Sequence, residues 1–139
     1  LFLRAAHHGE PFSLAGFPLF MIQVVPQQRI FLALHPVDFR RGIDGLCGIC
    51  REVLCRDPFS GYLFVFTNRR RTGLKILSYD GGGFWLCYRR LSEGRLTWWP
   101  KGESESHERY LATFELQALL MNMDPSRWKH RNFKEVLQA

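Results

Sequence analysis

Residues 62–99 read YLFVFTNRRRTGLKILSYDGGGFWLCYRRLSEGRLTWW, and the punctuation of this stretch decides the fold. Apolar, β-branched and aromatic runs at 62–67, 74–79, 84–90 and 95–99 alternate with three turns. The turns are Asn68-Arg69-Arg70-Arg71-Thr72-Gly73, Asp80-Gly81-Gly82-Gly83 and Ser92-Glu93-Gly94. Glycine-bearing turns between such runs are the sequence signal of β-hairpins, so the stretch predicts a four-stranded antiparallel meander. Within it Phe84-Trp85-Leu86-Cys87-Tyr88 is apolar on both faces. That pattern predicts a central strand covered on both sides.

Outward from the meander, the N-terminal side supplies a strand and a helix. Residues 28–34 (QRIFLAL) form a short apolar run that ends at His35-Pro36, as a strand does. The loop VDFRRGI follows, and Asp44 then stands where a helix N-cap belongs. Leu46, Ile49, Cys50, Val53 and Leu54 recur at helical spacing. They predict an amphipathic helix of about twelve residues, stopped by Asp57-Pro58 and the Ser60-Gly61 turn. On the C-terminal side, 100–109 (PKGESESHER) reads as an acidic loop. A second helix carries Phe114, Leu116, Leu119, Leu120 and Met123 and ends near Asn122 and Asp124-Pro125.

The fold class expected is therefore α+β: a small antiparallel β-meander packed with an amphipathic helix on its N-terminal side and a C-terminal helix. Residues 1–20 show weak periodicity and precede Met21, where the clean pattern begins. They are read as an extension, with 21–124 as the single domain and 125–139 as a basic tail. His7, His8, Glu10 and Pro11 interrupt any signal-peptide core, and no run of 18 apolar residues exists to cross a membrane.

Charge is concentrated. The chain holds 19 Lys+Arg against 13 Asp+Glu in 139 residues, a net charge of +6. Residues 29–95 carry twelve of the basic and six of the acidic residues, so the whole excess lies there. Fifteen of the basic residues are Arg, whose planar fork of donors suits phosphate and guanine better than solubility alone requires. The meander explains where they go. With the first hairpin strand running up, the loop 68–73, the start of the next strand and the end of the third all lie at the top, and the helix start joins them. Arg40, Arg41, Arg69, Arg70, Arg71, Lys75, Arg89, Arg90 and Arg95 then form one basic pole, the candidate DNA-binding site.

Other chemistry finds little support. Cys47-x-x-Cys50 is the only cysteine pair with ligand spacing, and neither a second pair nor a His-x-x-x-His follows. Cys47, Cys50, Cys55 and Cys87 read as small thiols in a reducing cytosol, with no metal and no cofactor. A metal-dependent nuclease needs converging carboxylates. Asp57 and Asp80 fall at the bottom of the meander and Asp38 and Asp44 near the top; helix capping explains Asp44, and turns explain Asp57 and Asp80. No enzyme is expected.

Several strings occur together in an order that is familiar. Asp38-Phe39-Arg40-Arg41-Gly42-Ile43-Asp44-Gly45-Leu46 resembles the D-x-R-(K/R)-G-(F/I)-D-G-L signature of a transposon accessory family. Asp57-Pro58-x-Ser60-Gly61, the run Leu63-Phe64-Val65-Phe66 before the Arg cluster, Lys75-x-Leu77-x-x-Asp80, Gly83-Phe84 and Arg90-Leu91-x-x-Gly94-x-x-x-Trp99-Pro100 complete the set. The family is the second-open-reading-frame (TnpB) accessory protein of IS66-type insertion sequences, which shares only a name with the RNA-guided nucleases. The resemblance covers about residues 21–124. Its departures are the doubled Trp98-Trp99 and Asn122 where the family closes its last helix with Gly; Asn also takes the left-handed conformation. The resemblance implies a cytoplasmic bacterial protein that supports a separate transposase and binds DNA, with the element's ends as the expected target. The alternative is an adaptor that binds the transposase through the apolar stripe of the C-terminal helix without touching DNA.

Overall fold

The computed structural model describes residues 29–128. The expectations for residues 1–20 and for the end of the tail lie outside the described residues. The elements are β1 (Ile30–Ala33), α1 (Ile43–Glu52), β2 (Leu63–Thr67), β3 (Gly73–Tyr79), β4 (Phe84–Arg90), β5 (Glu108–Tyr110) and α2 (Thr113–Leu120), with 3-10 turns at Pro58–Ser60 and Pro125–Trp128. The fold is α+β, with both helices on the sides expected.

A single five-stranded sheet runs in the order β4-β3-β2-β1-β5. β2, β3 and β4 form the antiparallel meander, with Phe64 opposite Leu77 and Ile76 opposite Cys87. The sheet as a whole is mixed, because β1 lies parallel to β2, Phe31 opposite Phe64. A parallel neighbour needs a crossover, and α1 with its flanking loops is that crossover.

Period-two alternation sorts the side chains into two cores. Phe31, Ala33, Phe64, Phe66 and Leu77 face α1 and pack on Leu46, Cys47, Cys50 and Leu54. Ile30, Leu32, Leu63, Val65, Leu74, Ile76 and Cys87 face the other way and pack on Leu96, Trp99, Leu111, Leu116 and Leu119. With helix on one face, and helix plus the 96–99 segment on the other, the central strand β2 is buried at every residue. Burying each large side chain contributes about 1.5–3 kcal/mol against leaving it exposed.

Four local expectations need correction. β4 is an edge strand paired only with β3, and Cys87 is its one buried residue. Its apolar run has local uses: Phe84 packs on Tyr79 and Phe59, the Trp85 indole N–H donates to Asp80, and Tyr88 meets Phe39. Residues 95–99 are not a fourth meander strand. After Gly94 the chain leaves the β4 edge, passes the hairpin tip, and lays Leu96 and Trp99 on the α2-side core, with the Trp99 indole donating to the Ala33 carbonyl at 3.3 Å. Three closely spaced apolar residues followed by a proline fit that burial better than an alternating strand. The missing fifth strand, β5, begins within the last residues of the segment read as an acidic loop and runs on to Tyr110. It is short and charged, as edge strands often are. Finally, α1 is ten residues long and its N-cap is Gly42; Asp44 sits in the first turn, favourably placed near the positive end of the helix dipole.

The thiols behave as small apolar groups at three of the four positions. Cys47, Cys50 and Cys87 are buried, and Cys55 is exposed in a left-handed conformation just after α1.

Candidate functional site

The arginine-bearing loops meet because of the strand order. β1 and β2 run in parallel, so the loop leaving β1 and the hairpin leaving β2 emerge at the same end of the sheet. The Val37 N–H donates to the Thr67 carbonyl at 2.9 Å and joins them. β4 returns to this end with Arg90 opposite Gly73 and Arg89 opposite Leu74. The chain beyond β4 is tied to the hairpin by Leu91 N–H to the Thr72 carbonyl (2.9 Å) and Leu96 N–H to the Arg71 carbonyl (2.8 Å). Arg95 is thereby brought beside the Arg69–Arg71 loop.

The hairpin tip is locked by its own polar atoms. The Arg71 N–H donates to the Asn68 carbonyl at 3.0 Å. The Thr72 N–H donates to Asn68 Oδ1 at 2.9 Å, and Asn68 Nδ2 donates to Thr72 Oγ1 at 2.8 Å. Thr67 Oγ1 closes the base by donating to the Gly73 carbonyl at 2.9 Å. Arg71 completes the loop with φ +55°, the left-handed region that glycine usually fills in such turns.

Lys75 departs from its expected place on the surface of the pole. It is buried, and its ammonium donates to the carbonyls of Phe39 (2.8 Å) and Arg41 (2.9 Å). The Phe39 and Tyr88 rings lie 5.0 and 5.3 Å from its Nζ. Burial lowers its pKa, and the carbonyls and ring faces offset part of the cost of holding a charge there. Its position on the α1 side of β3 makes it the clamp that fixes the 39–41 loop to the sheet.

The eight arginines stay at this end. Arg40, Arg41, Arg69, Arg70, Arg71, Arg90 and Arg95 are exposed, and Arg89 is half-buried. The segments 36–44, 68–73 and 89–95 that carry them contain three carboxylates: Asp38, Asp44 and Glu93. Asp38 is already committed. Arg40 Nε and Nη2 donate to its Oδ2 at 3.0 and 2.8 Å, and these bonds hold its carboxyl down at about 2. Between the 36–40 loop and the hairpin tip lies an open cleft of about 630 Å³, lined by Pro36, Val37, Asp38, Phe39, Arg40, Asn68, Arg69 and Arg70.

The family model of the IS66 Orf2 like protein matches residues 28–130. The chain belongs to the IS66 Orf2-like family. Two proteins of Sinorhizobium fredii (strain NBRC 101917 / NGR234) are similar to it. The uncharacterized protein y4jC is 33% identical over 106 residues, covering 76% of this chain and 88% of the relative. The uncharacterized protein y4hO is 34% identical over 102 residues, covering 73% and 84%. No solved structure matches. Family membership makes this an insertion-sequence-associated protein.

The remaining candidates of this IS66 Orf2-like chain divide by location. Asp57 accepts from the Phe59 N–H and Asp80 from the Gly82 and Gly83 N–H groups, both in turns away from the arginine end. Among the described residues no group of three or more His, Cys, Asp or Glu is placed to hold a metal ion, and no helix is long and apolar enough to cross a membrane. Of the aromatics that could grip bases, Tyr88 lies at the arginine end, Tyr79 packs in the aromatic cluster at the opposite end, and Trp98 packs on the core. On α2, Leu116 and Leu119 are buried and Phe114 is exposed, as are Met121 and Met123 just beyond its end.

Two residues that matter to the site escape a sequence reading. Phe39 lines the cleft, yet as a lone aromatic in a loop it carries no pattern. Asn122 (φ +52°) ends α2 as expected but also reaches back: its Oδ1 accepts from the Thr97 N–H at 2.9 Å and its Nδ2 donates to the Arg95 carbonyl at 3.3 Å. Asn122 thus anchors the segment that carries Arg95.

Proposed function

We propose that this protein is an accessory factor of insertion-sequence transposition that binds DNA through the arginine end of its sheet and assists a separate transposase in the bacterial cytoplasm. The observation that carries this reading is the convergence of three arginine-bearing segments on a rigid end of the molecule. Eight arginines against three carboxylates raise the local potential and suit a polyanion. Arg40, Arg41, Arg69, Arg70, Arg71, Arg89, Arg90 and Arg95 contact the DNA, and Lys75 acts from beneath as a positioning residue. Phosphate contacts from the hairpin tip supply affinity, and sequence preference requires some of these side chains to reach base edges. The protein itself performs no bond chemistry.

The test is fluorescence anisotropy across a salt series, using the element's terminal inverted repeat and a shuffled duplex. Salt-dependent binding is expected, tighter on the terminus if base edges are read. Replacing Arg69, Arg70 and Arg71 together by Ala should flatten the log–log salt slope by about 2–3. An unchanged slope removes the hairpin tip from the interface. The adaptor alternative rests on exposed Phe114 and Met121, because Leu116 and Leu119 of the same helix are spent on the core. It takes precedence if the isolated protein ignores DNA and is recruited only with the transposase.

A further inference from the structure

The cleft at the arginine end has the wrong interior for a phosphate and the right one for a base. Its lining includes three apolar side chains, Pro36, Val37 and Phe39. The one charged pair among its walls, Asp38 with Arg40, is internally neutralised by two-pronged hydrogen bonding. The cations in the lining with no such partner are Arg69 and Arg70, and both belong to the hairpin tip. A group in the cleft therefore meets apolar surface, a neutral polar pair and the guanidinium groups of Arg69 and Arg70. At about 630 Å³ the space falls in the size class of small-molecule sites, with room for one nucleotide.

The walls are also held before any ligand arrives. Lys75 holds the 39–41 backbone, Val37 is bonded to Thr67, and the Asn68–Thr72 bonds fix the hairpin. A preformed pocket avoids the ordering cost that a loop closing on its ligand would incur.

We propose that this cleft is a receptor for one unpaired nucleobase, extrahelical or single-stranded, with the flanking phosphates on Arg69 and Arg70. The inference rests on the DNA-binding reading above and adds the form of DNA recognised. A base seated in the cleft gains apolar and stacking contact that a paired base cannot offer, and unpairing costs least where DNA is already distorted or single-stranded.

The probe is a duplex carrying a single extrahelical 2-aminopurine, compared with the same duplex fully paired, at one fixed salt concentration. The expected result is about fivefold to a hundredfold tighter binding to the bulged duplex, the range that one base–protein stacking contact gives, with a change in 2-aminopurine emission on binding. Phe39→Ala should abolish the preference for the bulged duplex. Because Phe39 also touches Lys75, Pro36→Glu at the exposed wall serves as a second variant, placing an unpaired carboxylate in the cleft with little demand on the core. Equal binding to both duplexes with unchanged emission overturns the base receptor and leaves the arginine interface standing. Failure to bind either duplex at low salt overturns both.

Discussion

Asn122 shows how much one residue settles. Its backbone needs the left-handed region, where an alanine costs about 1–2 kcal/mol, and its carboxamide makes bonds each contributing about 0.5–1.5 kcal/mol. Asn122→Gly should keep the turn and lose the bonds, destabilising by about 1–2 kcal/mol in urea titrations. Asn122→Ala should lose both and cost about 2–4 kcal/mol; equal costs for the two variants would show that conformation plays no part. Arg71 presents the opposite case, an L-residue kept at φ +55° in a hairpin tip where glycine is easier. Arg71→Gly should raise stability by about 1 kcal/mol and, on the DNA-binding reading, reduce the salt slope by about 0.9. A stabilised variant with undiminished binding would mean that the strain serves something other than DNA.

At the level of elements, the closeness of β3 and β4 depends on Gly73. A Cβ there would stand 2.6 Å from the Arg89 carbonyl oxygen, so the strands would have to part where the arginines are carried. Gly73→Ala should cost about 1–3 kcal/mol and speed amide exchange at Leu91, whose N–H bonds the neighbouring Thr72 carbonyl. The helix and edge strand also set a pH dependence. Burial pushes the Cys50 thiol of α1 up to about 12 and the Cys87 thiol of β4 up to about 11, from an ordinary value of about 9. Above pH 9 the unfolded chain releases protons that the native chain retains, so stability falls as pH rises toward 11–12. Lys75, whose pKa burial lowers, contributes in the opposite sense below its ordinary value of 10.5, but it is one group against several thiols. The urea midpoint should therefore drop between pH 8 and pH 10. At neutral pH only the exposed Cys55 should react quickly with a thiol reagent; fast modification of a second cysteine would contradict the packing of α1 on the sheet.

For the whole molecule, the consequence of the fold is that segments far apart in sequence share one end. Residues 36–41, 68–73 and 89–95 are separate along the chain, and the parallel pairing of β1 with β2 stacks the first over the second. Lys75→Met tests that assembly. The apolar replacement fits the buried site, so the sheet should survive, while the 39–41 loop loses both hydrogen bonds that hold it. The expected outcome is a cooperative thermal transition with weakened DNA affinity, and an unaltered affinity would show that the loop holds its place without the clamp.

The sequence by itself determined the α+β class, the three meander strands, both helices, the family and the clustering of arginines. Each of these rests on local chemistry: glycine turns fix hairpins, helical spacing fixes apolar faces, and an antiparallel meander forces alternate loops to the same end. Only the tertiary structure decided what depends on partners distant in sequence. An apolar run does not state whether it is central or at an edge, which is why β4, expected at the centre, lies at an edge and β2 takes the middle of the sheet. Three charged and aromatic residues, Glu108–Tyr110, become a strand because β1 offers an open edge. Lys75, one of nine cations on the same pole by sequence, is withdrawn from the surface because period two turns it toward the carbonyls of Phe39 and Arg41. The cleft exists only because two loops, each unremarkable alone, are held a fixed distance apart by the sheet between them.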